Sequence, residues 1–186
     1  MWSKRIRAAI PLFCLSVSFT HAESDSLRIA EDFISAFYTF EPTELAKVVD
    51  PQAEGYVPVM YYQGWAQGGN YQIKQRRACQ LVSNAGAAET ITCAITVTDD
   101  FGGAMGYVAT DTFALVIEQG RINEVSFSAD DPPIFQELLT WIGDNQPHVL
   151  AGPCADFFAG GETPQACAQA VAHAARRMMA ERGSDK

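Results

Sequence analysis

The sequence predicts an α+β protein in which helices pack across one face of a curved antiparallel sheet. Three observations lead to this prediction. Apolar residues recur at helical spacing near the start of the chain, apolar and polar residues alternate between positions 71 and 129, and helical spacing returns after Asp131. Helices and strands that are grouped in separate blocks are typical of α+β folds rather than of parallel α/β folds.

The first 22 residues have the pattern of a secretory signal. Three basic residues precede an apolar run from Ala8 to Phe19, and Thr20-His21-Ala22 follows. The run is shorter than the roughly 20 residues that a membrane-spanning helix needs. We therefore expect cleavage near Ala22 and an exported chain, periplasmic or secreted, without a membrane span.

The N-terminal helices begin directly after this segment. A first amphipathic helix is predicted from Ser26 to about Pro42, and a short second helix follows up to Asp50. The apolar residues that support the first helix are Ala30, Phe33, Ile34, Phe37 and Tyr38. The next segment, 56–65, is rich in aromatic residues, and two interpretations stay open: a third short helix or an irregular packing segment.

Four strands are predicted, over residues 71–83, 89–98, 105–118 and 121–129. Asn84-Ala85-Gly86-Ala87 and residues 99–103 supply the first two chain reversals, and Gln119-Gly120 predicts a tight hairpin turn. The strands therefore form an antiparallel meander.

The remaining residues predict a helical extension. Asp131-Pro132-Pro133 is typical of a helix start, and that helix is expected to end at Gly143 and Pro147. A last helix is predicted from Thr163-Pro164, with fraying from Glu181 onward. The domain prediction is a signal peptide at 1–22, one α+β domain at 23–131, and an extension at 132–186 packed on the same domain.

Cysteine spacing predicts two disulfides. Four of the five cysteines lie beyond the signal, and four cysteines allow three pairings. Cys79 and Cys93 lie seven residues on either side of Gly86, so a reversal there places them opposite each other on adjacent strands. Cys154 and Cys167 bracket the loop before the last helix. These positions favour the pairs 79–93 and 154–167.

Charge and motif content exclude several functions. The net charge is −9, and removal of the basic signal makes the chain more acidic, which disfavours nucleic acid and anionic membranes as partners. No nucleophile elbow, phosphate-binding loop or dinucleotide fingerprint is present. His148 and His173 lack the spacing of paired metal ligands. We therefore predict neither a metal nor a cofactor.

The run Phe33-Ile34-Ser35-Ala36-Phe37-Tyr38, the short helix behind Pro42 and the strand pair around Gln119-Gly120 together resemble the nuclear transport factor 2-like superfamily. That superfamily includes SnoaL-like and ketosteroid-isomerase-like proteins, and the resemblance covers residues 26–131. It implies a cone-shaped fold, an apolar pocket between helices and sheet, and a homodimer formed through the sheet. Phe33 stands where the isomerases have a tyrosine, so ketosteroid isomerisation is not expected.

Asp111 is the principal candidate for chemistry, because it lies in the middle of a predicted strand at the same period-two parity as Phe113 and Leu115. A carboxyl on an apolar face has a raised pKa and is able to transfer protons. Tyr38 and Tyr61 are the candidates to assist it. The residues expected to line a ligand pocket are Phe33, Phe37, Tyr38, Tyr56, Tyr61, Trp65, Tyr107, Asp111 and Phe113.

Three functional hypotheses follow. The first is an exported protein that binds a small apolar or aromatic ligand, or a protein partner, without catalysis. The second is a pocket enzyme, an isomerase or dehydratase, in which Asp111 transfers the proton. The third is a structural or dimerisation module. The second hypothesis requires Asp111 to face a cavity with a tyrosine hydroxyl within hydrogen-bond reach.

Overall fold

The computed structural model describes residues 25–157 and 160–184, so the predicted signal lies outside the described residues. The helices are α1 Asp25–Phe37, α2 Pro42–Val48, α3 Tyr56–Gly68, α4 Asp100–Met105, α5 Pro133–Asn145, α6 Pro147–Ala151 and α7 Pro164–Ser184. The strands are β1 Gln72–Arg76, β2 Gln80–Ala85, β3 Ala88–Thr98, β4 Ala109–Glu118 and β5 Arg121–Ala129. This arrangement confirms the α+β class, whereas the cone shape stays a prediction.

The sheet is open and antiparallel, with five strands in the described chain. Its order is β1-β3-β4-β5, in which β1 pairs with the C-terminal half of β3. Strand β2 pairs with the N-terminal half of β3. The single strand predicted over 71–83 was therefore wrong, because it is two strands separated at residues 77–79. At this break the Cys79 backbone N–H donates to the Glu31 carboxylate of α1, 2.6 Å away, instead of continuing a regular ladder. Arg76 reaches the same carboxylate at 2.7 Å.

The disulfide between Cys79 and Cys93 depends on a register shift in β2. Near the turn, Ala85 pairs with Ala88, and this register extended without interruption would place Cys79 opposite Ala94. The pairing shifts by one residue between Leu81 and Ser83, so Gln80 pairs with Thr92. Cys79 and Cys93 are consequently opposite each other and disulfide-bonded, as predicted.

A short helix replaces the predicted reversal between β3 and β4. Asp99 caps α4, because its Oδ1 accepts the Gly102 N–H at 2.6 Å, and Gly106 ends the helix with a φ of 79°. The strand predicted from residue 105 therefore starts only at Ala109. The hairpin at Gln119 and Gly120 is confirmed, with φ angles of 52° and 75°.

The C-terminal helices also differ from their predicted bounds. Helix α5 continues through Gly143 to Asn145, Pro132 rather than Asp131 precedes it as the N-cap, and α6 was not predicted. Helix α7 extends to Ser184, although the prediction expected fraying from Glu181 onward. Arg182 near its end pairs with Glu137 of α5 at 2.8 Å. The Cys154–Cys167 disulfide is present as predicted.

The hydrophobic core consists of two clusters. One joins α1 and α2 to the sheet, and its largest side chains include Phe33, Phe37 and Phe113. The other joins α3 and α4 to the C-terminal helices. Tyr62 and Tyr71 pack against both clusters. Within the described ranges, no helix has the length and apolar character needed to cross a membrane.

Helix α3 is anchored to β5 at its first turn. The Glu54 N–H donates to the Asn123 carbonyl, and the Val125 N–H donates to the Glu54 carbonyl, each at 2.9 Å. Gly55 follows with a φ of 80°, and a Cβ there would lie 1.8 Å from the Val125 carbonyl oxygen. Only glycine fits this contact, since a side chain would push α3 away from the sheet.

We predict that Gly55→Ala lowers the free energy of unfolding by more than about 3 kcal/mol, since it combines a left-handed backbone with a steric clash. Gly106→Ala is the matched control, because Gly106 has a φ of 79° and open space at its Cβ position. That variant should lose only about 1–2 kcal/mol. Urea denaturation of both variants measures the difference, and equal losses would contradict the anchoring role of Gly55.

Candidate functional site

A cavity of about 300 Å³ lies where the two core clusters meet. Aromatic side chains form most of its wall, among them Trp65, Tyr71, Phe101, Phe127, Phe135 and Phe157. Phe37, Tyr62, Ala66 and Ala129 complete the apolar lining, and the polar lining residues are Asp111, Ser128, Asp131 and Gln136. A concave, mainly aromatic site with a few convergent polar groups is the usual form of a small-molecule pocket.

Helix α3 forms one wall of the cavity. Tyr62, Trp65 and Ala66 are three and four residues apart and therefore lie on one helical face. The Trp65 indole N–H donates to the Tyr71 hydroxyl at 3.1 Å, and its ring lies 4.6 Å from the Phe157 ring. These contacts hold the indole ring in place, so this part of the wall is formed without a ligand.

Asp111 supplies a buried carboxyl to the same cavity. Its position in β4, between partners Ile95 and Ala129, gives it the inward parity of Phe113, and only 1% of its surface is exposed. The Tyr38 hydroxyl, directly after α1, donates to its Oδ2 at 2.6 Å. This hydrogen bond connects the first helix to the sheet and orients the carboxyl.

The environment of Asp111 favours its protonated form. Burial raises the pKa of Asp111 to about 7, and the charges of Asp131, Asp99 and Asp130 act in the same direction. The hydrogen bond from Tyr38 has the opposite effect, since it favours the carboxylate. Burial and the Asp111 charge also raise the pKa of Tyr38 well above its usual range, so this hydroxyl stays a donor.

Two further carboxyls with raised pKa values lie near Asp111. Burial raises the pKa of Asp99 to about 7, although hydrogen bonds from Gly102 and Tyr71 oppose this shift. Asp131 is exposed as a residue, but partial desolvation of its carboxyl and the neighbouring Asp130 charge raise its pKa to about 6. The three carboxyls therefore change charge over the same interval, close to neutral pH.

The structure brings together some of the predicted pocket residues. Phe37, Trp65 and Asp111 line the cavity, and Tyr38 contacts it through Asp111. Phe33 and Phe113 are fully buried in the core beside Phe37.

The remaining predicted tyrosines lie outside the cavity lining. Tyr56 is half-buried against the sheet cluster, and Tyr61 is buried in the helical cluster. Tyr107 is half-buried near Asp131 and Asp99, whose charges help to raise its pKa. In the described part of the chain, the hydroxyls of Tyr61 and Tyr107 have no hydrogen-bond partner.

The sequence prediction omitted several residues that line or adjoin the cavity, namely Tyr71, Phe101, Phe127, Phe135, Phe157, Asp99 and Asp131. One signal was available for the two aspartates. In a meander the last residues of β3 and β5 lie beside the first residues of β4, at the same end of the sheet. Asp99, Asp131 and Asp111 are therefore brought near each other. Between residues 25 and 184, apart from 158 and 159, no group of His, Cys, Asp or Glu side chains is placed to hold a metal ion.

Comparison with known proteins provides a distant likeness. No protein-family model matches the chain, and no curated protein matches it. Among solved structures, the chain is similar to a protein of unknown function with a cystatin-like fold from Xanthomonas campestris, at 18% sequence identity and a TM-score of 0.40. The match covers 57% of this chain and 91% of that chain.

These findings correct the resemblance to the nuclear transport factor 2-like superfamily. No family model supports it, and the similar solved structure is described by a cystatin-like fold instead. The resemblance depended on the order of elements and on apolar runs such as Phe33 to Tyr38. Helices followed by an antiparallel meander satisfy the same packing rule in many α+β proteins, so this order does not define a superfamily.

Titration of Asp111 makes stability depend on pH. An aspartate in the unfolded chain has a pKa of about 3.9, and the folded state raises this value to about 7. The folded protein therefore binds the proton more tightly, and the contribution of Asp111 to stability is largest below pH 4. This contribution is lost as the pH rises through about 7.

We predict that Asp111→Asn flattens this pH dependence, because the amide stays neutral and still accepts from Tyr38. Between pH 4 and pH 8 the wild type should lose more stability than the variant, as measured by urea denaturation at several pH values. Asp144→Asn on the exposed surface of α5 is the control and should follow the wild type. Parallel profiles for the wild type and Asp111→Asn would show that Asp111 is not desolvated.

Proposed function

We propose that the protein binds a small apolar or aromatic ligand in the cavity between α3, the β4–β5 edge and α5. The observation that carries this proposal is the aromatic wall of a cavity of about 300 Å³ with the buried Asp111 carboxyl at its lining. The volume lies at the lower end of the range for ligand pockets, about 300–1,000 Å³. A flat molecule of one or two rings fits such a site.

Asp111 provides the polar contact for the ligand in this proposal. A buried carboxyl without a satisfying partner destabilises the folded state, and Tyr38 satisfies one of its oxygens. The carboxyl also lines the cavity, so a donor group on the ligand is able to reach it. The aromatic rings contribute apolar contact area, and Asp111 selects the orientation of the ligand.

The disulfides bear on the location. Two disulfides among the described residues suggest an oxidising, extracytoplasmic location. We propose that the protein is periplasmic or secreted after cleavage near Ala22, and that it meets its ligand there. The expected homodimer through the sheet, a protein partner and a purely structural role stay predictions.

Ligand binding is testable with a fluorescent probe. N-phenyl-1-naphthylamine, a neutral dye that brightens in apolar sites, should bind the wild type. Ala129 lies opposite Asp111 at the cavity, so Ala129→Trp should fill the space and weaken dye binding by at least about tenfold, or about 1.4 kcal/mol. Ser126→Trp is the matched control, because Ser126 is exposed on the same strand and does not line the cavity.

Ser126→Trp should bind the dye as the wild type does, and circular dichroism checks that both variants fold. Equal dye binding by the wild type and Ala129→Trp would show that the cavity is not the binding site.

Acid–base catalysis is the second candidate function, with Asp111 as the proton-transfer group of an isomerase or dehydratase. The observation that favours it is the buried Asp111 carboxyl in the cavity lining with the Tyr38 hydroxyl 2.6 Å away, and burial raises the pKa of this carboxyl to about 7. A general acid or base works best when its pKa lies near the working pH. Tyr38 is the assisting residue in this proposal, since Tyr61 does not line the cavity.

A reaction that needs only a base in an apolar site tests this second candidate. Ring opening of 5-nitrobenzisoxazole begins with removal of its C3 proton, and the N–O bond breaks as the phenolate forms. The wild-type rate should rise with an apparent pKa of about 7, because Asp111 must be ionised to accept the proton. Asp111→Asn should lose at least about tenfold in rate, whereas Asp144→Asn should keep it. A rate that is equal in Asp111→Asn and the wild type would exclude Asp111 as the base.

A further inference from the structure

The polar lining of the cavity is acidic. Asp111 and Asp131 line it, and the charge of nearby Asp99 helps to raise the pKa of Asp111, while the charge of Asp131 helps to raise the pKa of Asp99. Among the lining residues in the described part of the chain there is no lysine, arginine or histidine. A ligand that enters the cavity therefore meets carboxyls without a neighbouring protein cation.

Among the described residues, α3, α4 and α5 contain no basic residue, and the basic residues of α7, namely His173, Arg176, Arg177 and Arg182, are exposed to solvent. Helix α3 contains no charged residue. On the side of α1, the basic residue that acts on Tyr38 is Arg76, and it is paired with Glu31 at 2.7 Å. On the side of α5 and α7, Arg182 is paired with Glu137 at 2.8 Å. Asp130 after β5 adds further negative charge, since it helps to raise the pKa values of Asp111 and Asp131.

The faces of the aromatic rings also favour a positively charged ligand. The π-electron face of an aromatic ring is negative and attracts organic cations, and indole does so most strongly. Trp65 lies in the wall with its indole N–H already bonded to Tyr71, and the Phe157 ring lies 4.6 Å from it. Phe101 contacts the Trp65 ring edge-to-face with centroids 5.6 Å apart, and it stacks on Phe135 at the same centroid distance.

We propose that the ligand of this cavity is an organic cation, an amine or quaternary ammonium group carried on a small apolar or aromatic body. The positive group lies against Asp111 and Asp131, and the apolar body lies between the aromatic rings. This inference rests on the proposed ligand-binding function and specifies its ligand class. An anionic ligand is repelled by the same carboxyls, and a neutral ligand leaves them without a counter-charge.

Cation binding is coupled to protons in this arrangement. A cation favours the ionised carboxyls, so it lowers the pKa values of Asp111 and Asp131, which start at about 7 and about 6. Asp99, also at about 7, responds in the same direction. Affinity for a permanent cation should therefore rise between pH 5.5 and pH 8, with protons released on binding, whereas affinity for a neutral probe should not change.

Three probes of similar shape and different charge test the inference. Phenyltrimethylammonium is the cation, tert-butylbenzene is its neutral counterpart, and benzoate is the anion. Displacement of N-phenyl-1-naphthylamine at pH 8 should show the cation binding at least about tenfold more tightly than the neutral probe, with no displacement by benzoate. At pH 5.5 the cation should bind about tenfold more weakly than at pH 8, because the carboxyls are then protonated.

Carboxyl variants identify the residues responsible. Asp111→Asn and Asp131→Asn should each weaken the cation and leave tert-butylbenzene unchanged, whereas the exposed control Asp144→Asn should change neither. Because Asp131 is exposed, we expect Asp131→Asn to fold, and this variant tests the inference if Asp111→Asn does not fold. Ala129→Trp should abolish binding of every probe that enters the cavity.

The outcomes separate the two proposals. If tert-butylbenzene binds as tightly as the cation, and Ala129→Trp removes both, the cation inference is wrong and ligand binding in the cavity stands. Cation binding that survives in Ala129→Trp would also overturn it, because the charge would then be held elsewhere. If the dye itself does not bind the wild type, the proposed function and this inference both fail.

Discussion

The hydrogen bond between Tyr38 and Asp111 is the interaction on which the site depends. An aspartate on the core face of a strand destabilises the fold unless its carboxyl has a hydrogen-bond partner. Tyr38, which directly follows α1, provides that partner, since its hydroxyl donates to Asp111 Oδ2 at 2.6 Å. The same bond closes α1 onto β4. Asp111 therefore has two roles: it connects the first helix to the sheet, and it keeps a proton-binding group at the cavity. Burial at that position raises the pKa of Asp111.

Helix α3 decides whether a cavity exists. It is anchored to β5 through the backbone of Glu54 and the close approach of Gly55 to Val125, and it packs with α7 and the helical cluster on its other side. Two separate cores meet along this helix, and rigid aromatic rings from both do not fill the space between them. Tyr62 and Tyr71 contact both cores, so the cavity wall is continuous with them.

The two disulfides stabilise the framework and lie outside the cavity lining. Each closes a short loop, with separations of 14 and 13 residues, for which about 3 kcal/mol of stabilisation is typical. The Cys79–Cys93 disulfide links the two sides of the β2–β3 hairpin, and the Cys154–Cys167 disulfide links the start of α7 to the loop after α6. The loop that carries Phe157 into the aromatic wall lies between Cys154 and Cys167, so the second disulfide restricts the position of that wall.

Local patterns were sufficient to predict part of this protein. Period-two alternation predicted β3 and the inward parity of Asp111, glycine chemistry predicted the turn at Gln119 and Gly120, and cysteine spacing predicted both disulfides. Those features depend on neighbours in sequence or on one hairpin. The break at residues 77–79 depends on a contact between residues distant in sequence, Glu31 and Cys79. Helix α4 depends on a single cap, the hydrogen bond from Gly102 to Asp99. Only the tertiary structure decided that Asp111 and Asp131 line one aromatic cavity, because its rings come from α3, α4, α5 and the loop after α6, which are brought together only in the folded chain.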